Sequence, residues 1–169
     1  MTVRWLGARA LIVGGAMGVG VTGVLLVSHP PVVDAVQNAV LPGTESQDRA
    51  DLDPAFAHAL ASVEARMAAR GWPVWLRAGR RDAARQAWYV ERGYSRTSRS
   101  KHLSGSAADL LLPVSWVFFP LHIAFFHALR EEARAAGLCA GGDWTRRGWP
   151  WGPFGLGWDP AHVEHCGRG

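Results

Sequence analysis

Between Ala10 and Val27 the chain runs mostly apolar without a single charge, and Arg4 and Arg9 precede the run. At about 1.5 Å per helical residue, a stretch of this length just crosses a bilayer. Basic residues on its N-terminal side predict that this end stays in the cytoplasm and that everything after it is exported. Five glycines, at 14, 15, 18, 20 and 23, lower both its helix propensity and its hydrophobicity. The run ends "LLVSHPP", which lacks the small-residue site where a signal peptide is cut. Residues 1–28 are therefore read as an uncleaved signal-anchor, a transmembrane helix. A cleaved signal and a segment that later leaves the membrane are the alternatives.

Residues 29–52, from "HPP" to "LPGTESQDRADLD", read as linker. From 53 onward the pattern is regular. Asp53 is placed to cap a helix with Pro54 at its first position and Gly71 at its end. Phe56, Leu60, Val63 and Met67 recur between them at helical spacing. "WPVWLRAG" (72–79) predicts a strand with Val74 and Leu76 on one face, and "RDAARQAWYVERG" (81–93) a second helix closed by Gly93. "HLSGSAADLLLP" (102–113) ends as a buried strand, and Pro120 to Ala136 forms a third helix closed by Gly137. "LCAGGDW" (138–144) and "AHVEHC" (161–166) supply two more short strands. Strands and helices interleave irregularly, which predicts an α+β domain over 53–169: a small, largely antiparallel sheet with helices packed on it.

With 49% apolar residues in a chain of 169, a proper core is available and a disordered chain is excluded. The net charge of +4 points to an anionic neighbour: lipid, cell-wall polymer or nucleic acid. The arginines are scattered and no nucleic-acid motif is present, so nucleic acid is not expected. Cys139 and Cys166 lack the paired spacing of a zinc ribbon. They are two separate thiols, or one bridge in an oxidising compartment.

The chemistry centres on "SKHLSGSAADL" (100–110). In one straight strand, His102 and Asp109 would lie over about 20 Å apart and on opposite faces. Gly105, between Ser104 and Ser106, permits the bend that lets them converge. "DPAHVEH" (159–165) offers a third ligand, His162, with Asp159 three residues earlier and Glu164 on the same face of an extended segment. Two imidazole nitrogens and one carboxylate oxygen form a zinc set with a fourth position open to water. A neighbouring carboxylate, with Asp159 the candidate, would accept that water's proton. His165 is a rival third ligand that faces the other way. His29, His58, His122 and His127 read as ordinary core or surface histidines.

"SKHLSGSAADL" matches the S-x-H-x-x-G-x-A-x-D pattern of the zinc D-alanyl-D-alanine carboxypeptidase and dipeptidase family. "GGDW" followed by "DPAHVE" is similar to its L-alanyl-D-glutamate endopeptidase branch, found in phage endolysins and bacterial wall enzymes. "GRRDAARQ" resembles the family's G-x-R-x-x-x-x-Q element and aligns Arg81 and Gln86. The resemblance spans about 54–165. It implies Zn²⁺ held by His102, Asp109 and His162, with Asp159 as catalytic base where other branches use glutamate. It also implies that Arg81 meets a substrate carboxylate or a developing oxyanion, and that Ser100 contacts substrate or caps a turn. In the family the strands bearing Cys139 and Cys166 lie close together, which implies a disulfide. The implied function is hydrolysis of peptide bonds in peptidoglycan stem peptides, in wall remodelling or phage lysis, by a domain outside the cytoplasm and tethered to the inner membrane. The other class is a zinc-containing wall-binding module without catalysis. One departure stands out: "TRRGWPWGPFGLGW" (145–158) is longer than the pattern leads one to expect, and reads as a hydrophobic plug or as an aromatic rim to the cleft.

Overall fold

The computed structural model describes residues 30–112, 119–145 and 155–167. The expected anchor over 1–28 lies outside the described residues. Among those described, no helix is long and apolar enough to cross a membrane.

The elements run α1 (Pro30–Val40), α2 (Pro54–Ala69), β1 (Trp75–Ala78), α3 (Ala83–Glu91), β2 (Ala107–Leu111), α4 (Phe119–Ala135), β3 (Leu138–Ala140) and β4 (His162–His165). Single 3-10 turns cover Arg49–Asp51, Lys101–Ser104 and Gly141–Asp143. The four strands form one antiparallel sheet in the order β1-β2-β4-β3. This is the α+β architecture the pattern predicts, and each predicted element from 53 onward is present, most with shorter ends and the third helix shifted by one residue. Pro73 has no N–H to give a ladder, and β1 starts only at Trp75. The helix expected from 81 starts at Ala83 because Asp82 caps it, its carboxylate accepting from the Arg85 N–H at 2.8 Å. The "LCAGGDW" strand stops at Ala140, where the two glycines turn into 3-10 helix.

One face of the sheet carries the core. The Asp53 carboxylate accepts from the N–H groups of Ala55 and Phe56 and fixes the start of α2. Its buried stripe is Phe56, Leu60, Val63 and Met67, the four residues at helical spacing. They pack with Phe125, Leu129 and Ala133 of α4 against Leu76, Leu110 and Val163 of the sheet. Each of these side chains larger than alanine contributes about 1.5–3 kcal/mol by leaving water. The opposite face of β2 and β4 is left for polar residues.

The linker reading of residues 29–52 needs correction. Residues 30–40 are helical, and 44–46 are stitched onto the domain. Ser46 N–H donates to the Arg80 carbonyl and the Gly79 N–H to the Ser46 carbonyl, both at 2.7 Å. Glu45 pairs with Arg81 and is 2% exposed. Arg85, fully buried, reaches the carbonyls of Gln37, Pro42 and Gly43. Residues 41–46 are held by hydrogen bonds and charge, which leave no apolar period to read, whereas Val32, Val36 and Val40 do recur at helical spacing in 30–40.

Candidate metal centre

His102 sits in the 3-10 turn that Ser100 caps, the Ser100 hydroxyl oxygen accepting from the His102 N–H at 3.3 Å. Gly105 then turns the chain back with φ +74°. A side chain there would meet backbone atoms of Asp51 and Asp53 at about 3 Å. Four residues later Asp109 stands in β2 directly opposite His162 in β4. The bend and the strand pairing thus gather the three residues that the sequence spacing suggested.

The Asp109 Oδ1 lies 3.0 Å from His162 Nδ1 and 3.5 Å from His102 Nε2, and the two nitrogens are 3.3 Å apart. Ligands held tetrahedrally at 2.0–2.1 Å from zinc are separated by about 3.3–3.4 Å, so the spacing fits. The outer partners fix where the ring protons go. His102 Nδ1 is 2.6 Å from the Gly79 carbonyl and must donate to it, which leaves Nε2 as a lone pair aimed at the centre. His162 Nε2 is 3.2 Å from Glu164 Oε2 and donates in the same way, which leaves Nδ1 free to ligate. Glu164 is held in turn by Lys101 at 3.1 Å. Two lone pairs and a carboxylate facing one another need a cation between them. Without a metal, a proton takes that place: burial opposes the charge on His162, but hydrogen bonds to Asp109 and Glu164 outweigh it and push its pKa up to about 9. Burial likewise works against the Asp109 charge, yet the two histidines hold its carboxyl well below the usual range.

The centre lies in a cleft of about 580 Å³ that Asp159 and Arg81 also line. Burial, reinforced by the Asp109 charge, pushes the Asp159 carboxyl up to about 6. Among the described residues no hydrogen bond engages this carboxylate. Arg81 lies over the Tyr89 ring at 4.5 Å. Its Nε donates to Glu45 at 2.6 Å and its Nη1 to Gln86 at 3.0 Å, while Nη2 stands 3.6 Å from Asp109 Oδ2. Glu45, Tyr89 and Lys101 also line the cleft and were not singled out by sequence. Glu45 gave no signal because its partner lies 36 positions away.

The other expectations resolve as follows. His165 faces the core, its ring 5.4 Å from Phe56, and is no ligand to this centre. His58 is exposed, and His127 pairs with Arg130 at 3.2 Å. His29 and the side chain of His122 lie outside the described residues, as do Trp149 and Trp151. The described ends of the tryptophan stretch border the cleft: Trp144 packs 4.8 Å from the His162 ring and 5.5 Å from Trp158. Cys139 and Cys166 are disulfide-bonded, with Cα atoms 5.0 Å apart.

No family model and no curated protein matches the chain. Among solved structures, it is similar to the Serratia marcescens L-Ala D-Glu endopeptidase ChiX, at 26% identity over 69% of this chain and 82% of that one, with a TM-score of 0.49. It is also similar to the vancomycin resistance D,D-pentapeptidase VanY of a VanB-type cassette, a mutant solved in complex with Zn(II). There the identity is 18%, over 76% of this chain and 82% of that one, with a TM-score of 0.47. The chain itself carries a His102–Asp109–His162 group of metal-binding geometry.

Proposed function

We propose that the chain is a zinc-dependent peptidase that hydrolyses a peptide bond in peptidoglycan stem peptides. The observation that carries the reading is the convergence of His102 Nε2, His162 Nδ1 and Asp109 Oδ1 at the separations of tetrahedral zinc ligands. The motif at residues 100–109 and the basic chain, suited to an anionic wall, support the substrate class.

Zinc held by these three residues would supply a Lewis acid for the scissile carbonyl and lower the pKa of water. Asp159 takes the proton of the attacking water on its free carboxylate and hands it to the leaving amine. Its raised pKa suits both halves of that task. Arg81 keeps unclaimed Nη protons beside Asp109, and these meet the negative charge that develops on the carbonyl oxygen. Glu45, Gln86 and the Tyr89 ring hold its plane in place. Trp144 packs on the His162 ring and Trp158 on Trp144, walling one side of the centre. The bond is L-alanyl-D-glutamate or D-alanyl-D-alanine.

The test is zinc content and digestion of purified peptidoglycan, with mass spectrometry of the fragments. The unaltered protein holds one zinc and releases stem fragments. Asp159→Ala keeps the metal and loses roughly 10²–10⁴-fold in rate. His162→Ala loses both. Zinc and wall binding without any cleavage would replace the peptidase with a binding module.

We further infer that residues 1–28 anchor the protein in the inner membrane with the domain outside the cytoplasm. The uncharged run from 10 to 27, the arginines before it and the disulfide support this. Fractionation of expressing cells checks it: recovery of the full chain in the cytosol rejects the anchor.

A further inference from the structure

Arginine is the usual partner for a substrate carboxylate, and the sequence resemblance offers Arg81 for that role or for the oxyanion. The proposed mechanism uses its remaining Nη protons for the second. Three of the five Arg81 donors are already directed at Glu45, Gln86 and Asp109. Lys101, the other cation close to the centre, is spent on Glu164 and on the carbonyls of His165 and Gly167. A carboxylate on the substrate must find its counter-charge elsewhere in the cleft.

Three further arginines line the same cleft: Arg77, Arg96 and Arg99. Arg77 lies over the Trp75 ring and approaches an acid only at 3.9 Å, at a Glu45 whose other oxygen Arg81 already holds. Among the described residues, Arg96 and Arg99 form no ion pair. Both rise from the loop after α3, and that loop is tied down. Buried Gln86 donates through Nε2 to Ser95 Oγ at 2.9 Å and to the Thr97 carbonyl at 2.6 Å. The Tyr89 carbonyl accepts from the N–H groups of Tyr94 and Ser95. The same Gln86 side chain holds Arg81, so one amide ties the loop that carries Arg96 and Arg99 to the arginine beside the centre. The other carboxylates of the cleft are already engaged or belong to the centre: Glu45 and Glu164 are paired, and Asp109 and Asp159 are part of the metal centre.

We propose that Arg96 and Arg99, with Arg77, form an anion subsite that receives a free carboxylate beside the scissile bond, so that the site favours acidic stem peptides over their carboxamide forms. This rests on the peptidase reading and names the substrate within it. Stem peptides carry such carboxylates on residues joined through a side chain. Arginine pairs with a carboxylate through two parallel hydrogen bonds and has no comparable match with a neutral amide.

The test uses the full-length zinc-loaded protein, the Arg96→Gln/Arg99→Gln double variant and, as a charge control, Arg92→Gln, whose side chain lies on Trp88 outside the cleft lining. Two synthetic stem peptides serve as probes, identical except that one has a free carboxylate where the other has a carboxamide. The unaltered protein takes the carboxylate peptide with the lower KM. The double variant raises that KM about tenfold or more, keeps kcat, and leaves the carboxamide peptide unchanged. Arg92→Gln changes neither. Equal KM values for the two peptides in the unaltered protein, or a loss that falls on both alike, overturns the proposal. Binding of the same peptides, read by tryptophan fluorescence, separates the two readings. If no bond is cut but the carboxylate preference and its loss persist, the peptidase reading fails and the subsite stands. If peptides are cut with no such preference, the reverse holds.

Discussion

His162 is the residue on which the charge state of the centre turns. Its Nδ1 faces Asp109 and His102, its Nε2 faces Glu164, and the Asp159 carboxylate adds its field. Against burial, Asp109, Glu164 and Asp159 raise its pKa from 6.5 to about 9 when no metal is bound. A group whose pKa is higher in the folded state contributes its stability below the unfolded value and loses it as pH climbs through the folded one. Chelated protein should therefore carry the full contribution below pH 6.5 and lose it between 6.5 and about 9. The shift corresponds to on the order of 3 kcal/mol. Zinc competes with that proton, so apparent zinc affinity should rise over the same interval. Thermal unfolding of chelator-treated protein at pH 6, 8 and 10 reads the first expectation; a melting temperature that is flat across these points would refute it. Glu164 and Lys101 matter here as the groups that hold the imidazole in its metal-ready orientation.

At the scale of elements, the site depends on a turn and on a strand pairing. The Lys101–Ser104 turn delivers His102, β2 delivers Asp109, and only Gly105 joins them without collision. Gly105→Ala puts a Cβ at φ +74° against the Asp53 nitrogen and the Asp51 carbonyl oxygen. It should cost about 1–3 kcal/mol in denaturant unfolding and weaken zinc binding with it. A variant as stable and as tight for zinc as the parent would show that the turn is not required. This bend was legible because a glycine between two serines separates two ligand types that a straight strand would hold apart. The helices were legible for a related reason. Phe56, Leu60, Val63 and Met67 mark one face, and Asp53 with Pro54 marks where it begins. The alternation in "HVEH" put His162 and Glu164 on one side and His165 on the other, and β4 keeps that order. The contribution of residues 30–52 was not legible. Glu45 reaches the cleft because Arg81 neutralises it and because Arg85 and Asn38 hold the chain around it. Those contacts join positions far apart in sequence, and a local pattern carries no trace of them.

For the molecule as a whole, the disulfide decides how firmly the second half of the site is attached. Cys139 follows the start of β3 and Cys166 follows β4, a separation of 27 positions. Trp144, Trp158, Asp159 and His162 all fall between them, whereas His102, Asp109 and Arg81 lie outside. The bridge and a metal shared by Asp109 and His162 therefore restrain the same segment in two ways, one closing it on itself and the other fastening it to β2. By the loop-closure argument, the bridge removes about 3–4 kcal/mol worth of freedom from the unfolded chain. At about 4 °C per kcal/mol for a domain of this size, reduction should lower the melting temperature by on the order of 10 °C. The fall should be clearest in chelated protein, where no metal replaces the lost restraint. Bound zinc adds stability in proportion to the logarithm of its excess over Kd and offsets part of the fall. Scanning calorimetry of the oxidised and reduced forms, each with zinc and with chelator, reads these terms separately. Protein made in a reducing cytoplasm should behave as the reduced form until it is oxidised. If reduction leaves all melting temperatures where they were, the bridge does not form in solution, and the metal alone fastens the C-terminal strand.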